Sequence, residues 1–92
     1  MLNLRLASLA GLDPSGLDLR GADLTGADLT ESTLAGTDLT GANLTGANLD
    51  HADLSEADLA YAYLQGASFD HAILIAAHFE GTYLPSTVQG LL

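Results

Sequence analysis

Glu31, His51 and His71 recur at intervals of twenty residues, and Asp50 and Asp70 stand immediately before the two histidines. Carboxylate and imidazole are ligand types that hold zinc. Imidazole near the Ser68 hydroxyl also supplies the ingredients of a nucleophile–base pair. Thiolate chemistry and disulfide staples are excluded, because the chain has no Cys. Residue types alone do not make either site. Both need elements that aim the side chains at one point and a concavity around them.

The elements are set by a five-residue period. A Leu or Phe stands at Leu19, Leu24, Leu29, Leu34, Leu39, Leu44, Leu49, Leu54, Leu59, Leu64, Phe69, Leu74, Phe79 and Leu84. A small residue, usually Ala, precedes each by two, and Gly often follows by two. Five matches neither the 3.6 of a helix nor the 2 of a flat strand. It suits a chain that turns a corner every five residues and stacks on itself. The small residue and the Leu point inward around an outward Asp, Asn or Thr, and the next two positions make the corner. With 48% hydrophobic but only 5% aromatic residues, the interior is thin and built from Leu and Ala. Ninety-two residues make one domain. A stack also escapes part of the stability limit on small globules, because each coil is buried by its neighbours.

This pattern of small residue, Asp or Asn, Leu or Phe, and two variable residues resembles the pentapeptide-repeat family over residues 17–86. The resemblance implies an all-β fold, a right-handed quadrilateral parallel β-helix with four pentapeptides per coil. Counting units from Leu2 gives about four coils, roughly 20 Å at ~4.8 Å per coil. Departures are Ser32 and Thr37 at the small position, and Tyr63, Ile73 and Tyr83 where Asp or Asn is usual. The expected organisation is an N-terminal coil or cap over 1–16, the repeat β-helix over 17–86, and a C-terminal tail or cap over 87–92. Residues 1–12 either keep the repeat phase or form a short capping helix with Leu2, Leu6 and Leu9 on one face. In the tail, Val88, Leu91 and Leu92 are placed to fold over the open end.

Four units per coil would stack residues twenty apart. Glu31, His51 and His71 then share a column, but side chains on successive rungs run parallel rather than converging. They are read as solvated surface, with no metal and no cofactor. No loop or concavity organises Ser68 with a histidine, so no enzyme is expected. The outward acids Asp18, Asp23, Asp28, Asp38, Asp53 and Asp58 form an acidic surface.

Net charge is −10, with only Arg5 and Arg20 to oppose twelve acids. Such a surface argues against direct binding of nucleic acid or an anionic membrane and suits a basic protein partner. No apolar run is long enough to span a bilayer and the N-terminus makes a poor signal peptide, so cytoplasm is the default compartment. Ten of the twelve acids lie between Asp13 and Asp58. Beyond them, Tyr61, Tyr63, Ile73, Ile75 and Tyr83 take outward positions and form a candidate association surface. The reading is a non-catalytic structural or protein-interaction module, with a homodimer expected through the C-terminal third. The resemblance implies an alternative: some family members imitate duplex DNA and bind DNA gyrase. Those members are longer than this chain.

Overall fold

Most inward Leu residues donate their backbone N–H to the Asp, Asn or equivalent carbonyl nineteen residues on, as in Leu24 to Asn43 at 2.8 Å and Leu44 to Tyr63 at 2.7 Å. The outward residue returns a bond to the small residue twenty-one back, as in Asn43 to Ala22 at 2.9 Å. These paired bonds give parallel bridges between residues twenty apart, from Asn3–Asp23 to Asp58–His78. A coil therefore has twenty residues and four sides. The computed structural model describes residues 1–14 and 17–89, with no side-chain placement for Thr87. Ser15 and Gly16 of the N-terminal segment, and Leu91 and Leu92 of the tail, lie outside the described residues.

The first face carries Leu4, Leu24, Leu44, Leu64 and Leu84, and the second Leu9, Leu29, Leu49 and Phe69. The third carries Pro14, Leu34, Leu54 and Leu74, and the fourth Leu19, Leu39, Leu59 and Phe79. Residues 1–12 are coil, since Asn3 bridges Asp23 and Ser8 bridges Asp28. Pro14 is buried in the place of an inward Leu and has no N–H to offer. Ladder bonds on the third face start with Thr33 to the Leu12 carbonyl at 2.9 Å.

Corners repeat one device. The residue three after each Leu donates back to the Leu carbonyl, as in Ala27 to Leu24 at 3.0 Å, and the residue before that donor has φ near +60° to +70°. This is a type II turn, which favours Gly at its third position. Leu6, Glu31, His51, Glu56, Tyr61, His71 and Ala76 occupy that left-handed position without being Gly. For an L-residue it costs about 1–2 kcal/mol.

Leu19 through Leu64 and Phe69 are at most 2% exposed and Leu74 is 7% exposed, with Ala22, Ala27, Ala42, Ala47, Ala52 and Ala57 packed between them. Phe79 and Leu84 are only half-buried, packed against this core from the last coil, which has no further coil above it. A four-residue helix, α1 (Ser86–Gln89), departs from the all-β pattern. It starts directly after Pro85, whose carbonyl accepts the Val88 N–H at 2.9 Å, and it buries Val88 completely. The folded chain measures 28 × 23 × 22 Å. Ser32 lies in the core with its hydroxyl unpartnered, a cost of about 1–3 kcal/mol. Among the described residues no helix is long and apolar enough to cross a membrane.

Two substitutions test the core and the corner. Leu44→Ala should lower unfolding free energy by about 2–5 kcal/mol, with Leu84→Ala losing clearly less, as read by urea denaturation. Ala76→Gly relieves a left-handed φ of 60° at an exposed corner. It should raise stability by about 0.5–1 kcal/mol, the relief of strain less the added chain entropy of Gly; a fall in melting temperature would contradict the account.

Candidate interaction surface

The outward acids are corner braces. Asp23 Oδ1 accepts the Thr25 N–H at 3.1 Å and its hydroxyl at 2.7 Å. Asp28 does the same with Thr30, Asp38 with Thr40, and Asp53 with Ser55. Asp58 accepts the Ala60 N–H at 3.0 Å. Asp18 holds Arg20 in a two-pronged pair at 3.0 and 2.9 Å and also takes its backbone N–H. Both side chains are well exposed, so the pair adds little stability. Hydrogen bonds from the Arg20 side chain and backbone hold the Asp18 carboxyl at about 2. The Thr or Ser hydroxyl, then its N–H, holds Asp23, Asp28, Asp38 and Asp53 below the usual carboxylate range.

At the corner between the second and third faces, the His51 and His71 rings stack in parallel, with centroids 5.0 Å apart and planes within 2°. His71 Nδ1 lies 3.4 Å from Asp70 Oδ1. Ser68 donates its hydroxyl to Asp50 rather than to a histidine, and Asp50 also accepts the Asp70 N–H at 2.9 Å. That hydroxyl contact is what most lowers the Asp50 carboxyl. Asp50 thus braces the corner one rung above its own. The usual brace there is an outward Asp or Asn, and Ser68 stands in its place. Among the described residues no three His, Asp or Glu side chains are placed to hold a metal.

In the C-terminal third, exposed apolar side chains occur on two opposite sides; Met1, Leu2, Leu6 and Leu17 are exposed at the N-terminal end. Ile73 and Ile75, 44% and 74% exposed, stand on the third face. Tyr63 and Tyr83 stand on the first face and Tyr61 at the corner leading into it, between 58% and 78% exposed. The tyrosines line a groove of about 670 Å³ with Thr45, Ala62, Leu64, Gln65, Gly81 and Pro85. Tyr61 lies across Gly81 so closely that a Cβ there would sit 2.3 Å from its ring, and Gly81 has φ of +70°. Reading the residues singly misses the groove. Its signals in sequence are Tyr63 and Tyr83 one coil apart and a Pro directly after the last Leu of the series.

A coil of four five-residue sides around a solid Leu and Ala core defines a solenoid class, the quadrilateral parallel β-helix. The chain belongs to the pentapeptide-repeat family: the pentapeptide-repeats model matches eight copies across residues 22–59 and 52–87. Its fold is accordingly the right-handed β-helix of that family. Rfr23, a pentapeptide repeat protein of the cyanobacterium Cyanothece 51142, is 32% identical. The match has a TM-score of 0.67 and covers 92% of this chain and 54% of that one. HetL of Nostoc sp. strain PCC 7120, a pentapeptide repeat protein involved in heterocyst differentiation regulation, is 34% identical with a TM-score of 0.49. That match covers 92% of this chain and 41% of HetL. The chain thus spans about half the length, or less, of these two relatives. No curated protein matches it in sequence.

The braced acids dictate a pH dependence. In the folded chain Asp18, Asp23, Asp28, Asp38, Asp50 and Asp53 protonate below their ordinary value of 3.8. Near pH 3–4 the unfolded state therefore binds more protons, and stability rises with pH. The melting temperature should be level down to about pH 5, then fall as pH drops through 4 toward 2. A rise over that range would mean that relief of acidic repulsion outweighs loss of the braces.

Proposed function

We propose that this chain is a non-catalytic protein-interaction module whose contacts are made by its C-terminal third. The observation that carries this reading is the exposure of Tyr61, Tyr63, Ile73, Ile75 and Tyr83 within a stretch that holds only two of the twelve acids. Large apolar side chains gathered in an acid-poor stretch mark an association surface; the other exposed set, Met1, Leu2, Leu6 and Leu17, lies at the N-terminal end. The Ile73–Ile75 side supports pairing with a second copy, because its apolar side chains match their own image across a two-fold axis, with Asp53 and Glu56 one rung below as its rim. The acidic remainder suits a basic partner.

The acidic body gives some support to a second reading, imitation of duplex DNA bound by an enzyme such as gyrase. Ten charges along 28 Å fall about 2.8 Å apart, sparser than the ~1.7 Å of a duplex. A single copy also falls short of one helical turn, about 34 Å. Only an end-to-end dimer would reach that length.

Light scattering on a size-exclusion column tests the first reading. The wild type should run as a dimer, and Ile73→Asp combined with Ile75→Asp should run as a monomer with an unchanged circular dichroism spectrum. A wild type that stays monomeric at 100 µM, a concentration of the order at which weak pairs form, would remove the self-association arm. Gyrase supercoiling unaffected by the protein would remove the mimicry reading.

A further inference from the structure

The tyrosine groove is a place where the coil ladder comes apart. On the first face, Leu4 pairs with Asp23, Leu24 with Asn43 and Leu44 with Tyr63, each N–H to carbonyl at 2.7–2.8 Å. The next rung should pair Leu64 with Tyr83, and it does not. The ladder is intact up to Tyr61, whose N–H reaches the Glu80 carbonyl at 2.8 Å. Past that point the Ala62 carbonyl, the Leu64 N–H and the Gly66 N–H have no hydrogen-bond partner among the described residues, and neither do the Tyr83 N–H and carbonyl. The chain departs at Pro85. Its carbonyl is the repeat's acceptor for Gly66, but it is committed to the Val88 and Gln89 N–H groups of α1 at 2.9 and 3.1 Å. The rung is unpaired where the chain leaves the repeat for α1.

Unpaired backbone groups on buried residues are costly and seek partners, and Ala62 and Leu64 are buried while Gly66 is exposed. Leu64 is 2% exposed, yet it borders the groove. The groove's volume of about 670 Å³ lies in the range of pockets that hold ligands. We propose that this seam receives an extended peptide segment of a partner protein, carrying Lys or Arg at alternate positions, as an added strand on residues 62–66. The segment's backbone meets the Ala62 carbonyl and the Leu64 and Gly66 N–H groups, the β-augmentation mode of recognition. Side chains of a strand alternate between its two sides, so every second one faces Tyr61, Tyr63 and Tyr83. Two features specify cations there. Tyrosine faces attract Lys and Arg, and beyond Arg20 the chain has no Lys or Arg to repel them, Asp70 and Glu80 being the only Asp, Glu, Lys or Arg after Asp58. The inference rests on the interaction reading above and names the partner's chemistry and mode of binding.

The test is fluorescence anisotropy with a labelled heptapeptide of alternating Lys and Val, beside a twin N-methylated at every second residue. The twin keeps every charge and side chain but cannot pair along one edge. The parent peptide should bind, the twin about tenfold or more weakly, because it loses the bond to the Ala62 carbonyl and its methyl groups hold that edge off the strand. Tyr63→Ala with Tyr83→Ala should weaken the parent peptide by a similar factor while leaving the thermal melt in place, since both rings are exposed. Equal binding of parent and twin would show attraction of charge alone and overturn the proposal, as would no binding of either. If the peptide fails while the Ile73 and Ile75 charges still split a dimer, the seam is lost and the interaction reading stands. A bound peptide on a chain that never dimerises supports the seam and removes self-association.

Discussion

Two backbone bonds, repeated through most of the stack, hold this molecule together: Leu N–H to the carbonyl nineteen ahead, and the outward N–H to the carbonyl twenty-one behind. They lock the twenty-residue register, and the register decides everything that meets. Leu stacks on Leu and Ala on Ala, which fills the interior to near-complete burial without a single aromatic until Phe69. The bonds form only if the chain turns sharply after each Leu. The corner and the ladder are therefore one constraint. A residue with φ near +60° every five positions is the condition for the next pair of bonds.

The surface follows from the same constraint. An acid just before an inward Leu is placed to brace the corner that follows, and Asp23, Asp28, Asp38 and Asp53 all do so with a Thr or Ser two residues on. Much of the negative charge is thus tied to local geometry before any partner arrives. Where the brace residue changes, the surface changes character. Tyr63 and Tyr83 make the groove, Ile73 makes the opposite apolar side, and Ser68 hands its corner to Asp50 from the rung below.

The architecture was legible because it is written many times over: any one Leu or Gly is weak evidence, but a series kept in phase from Leu19 to Leu84 admits few folds. The histidine column was legible as an alignment of Glu31, His51 and His71, though not as a flat stack of the two rings. What escaped is whatever depends on a single event. The departure of the chain at Pro85 into α1, and the unpaired rung at Leu64 beside it, occur once and break the pattern from which the rest is read. The split of the exposed residues between opposite sides is a consequence of four-sidedness. Tyr63 and Ile73 are ten residues apart, half a coil, and a linear listing places them together.

The solid interior has a consequence for where this protein can change. No lumen runs along the axis, because inward Leu and Ala from all four sides meet there with essentially no exposure. Of every five residues, two belong to that interior and one to the left-handed corner, leaving two that face outward. Those two form a lattice of sites at fixed pitch, about 4.8 Å up the stack, on which new side chains can be set without disturbing a core contact. The molecule is a pegboard whose holes are already drilled, and a different binding surface needs only different pegs.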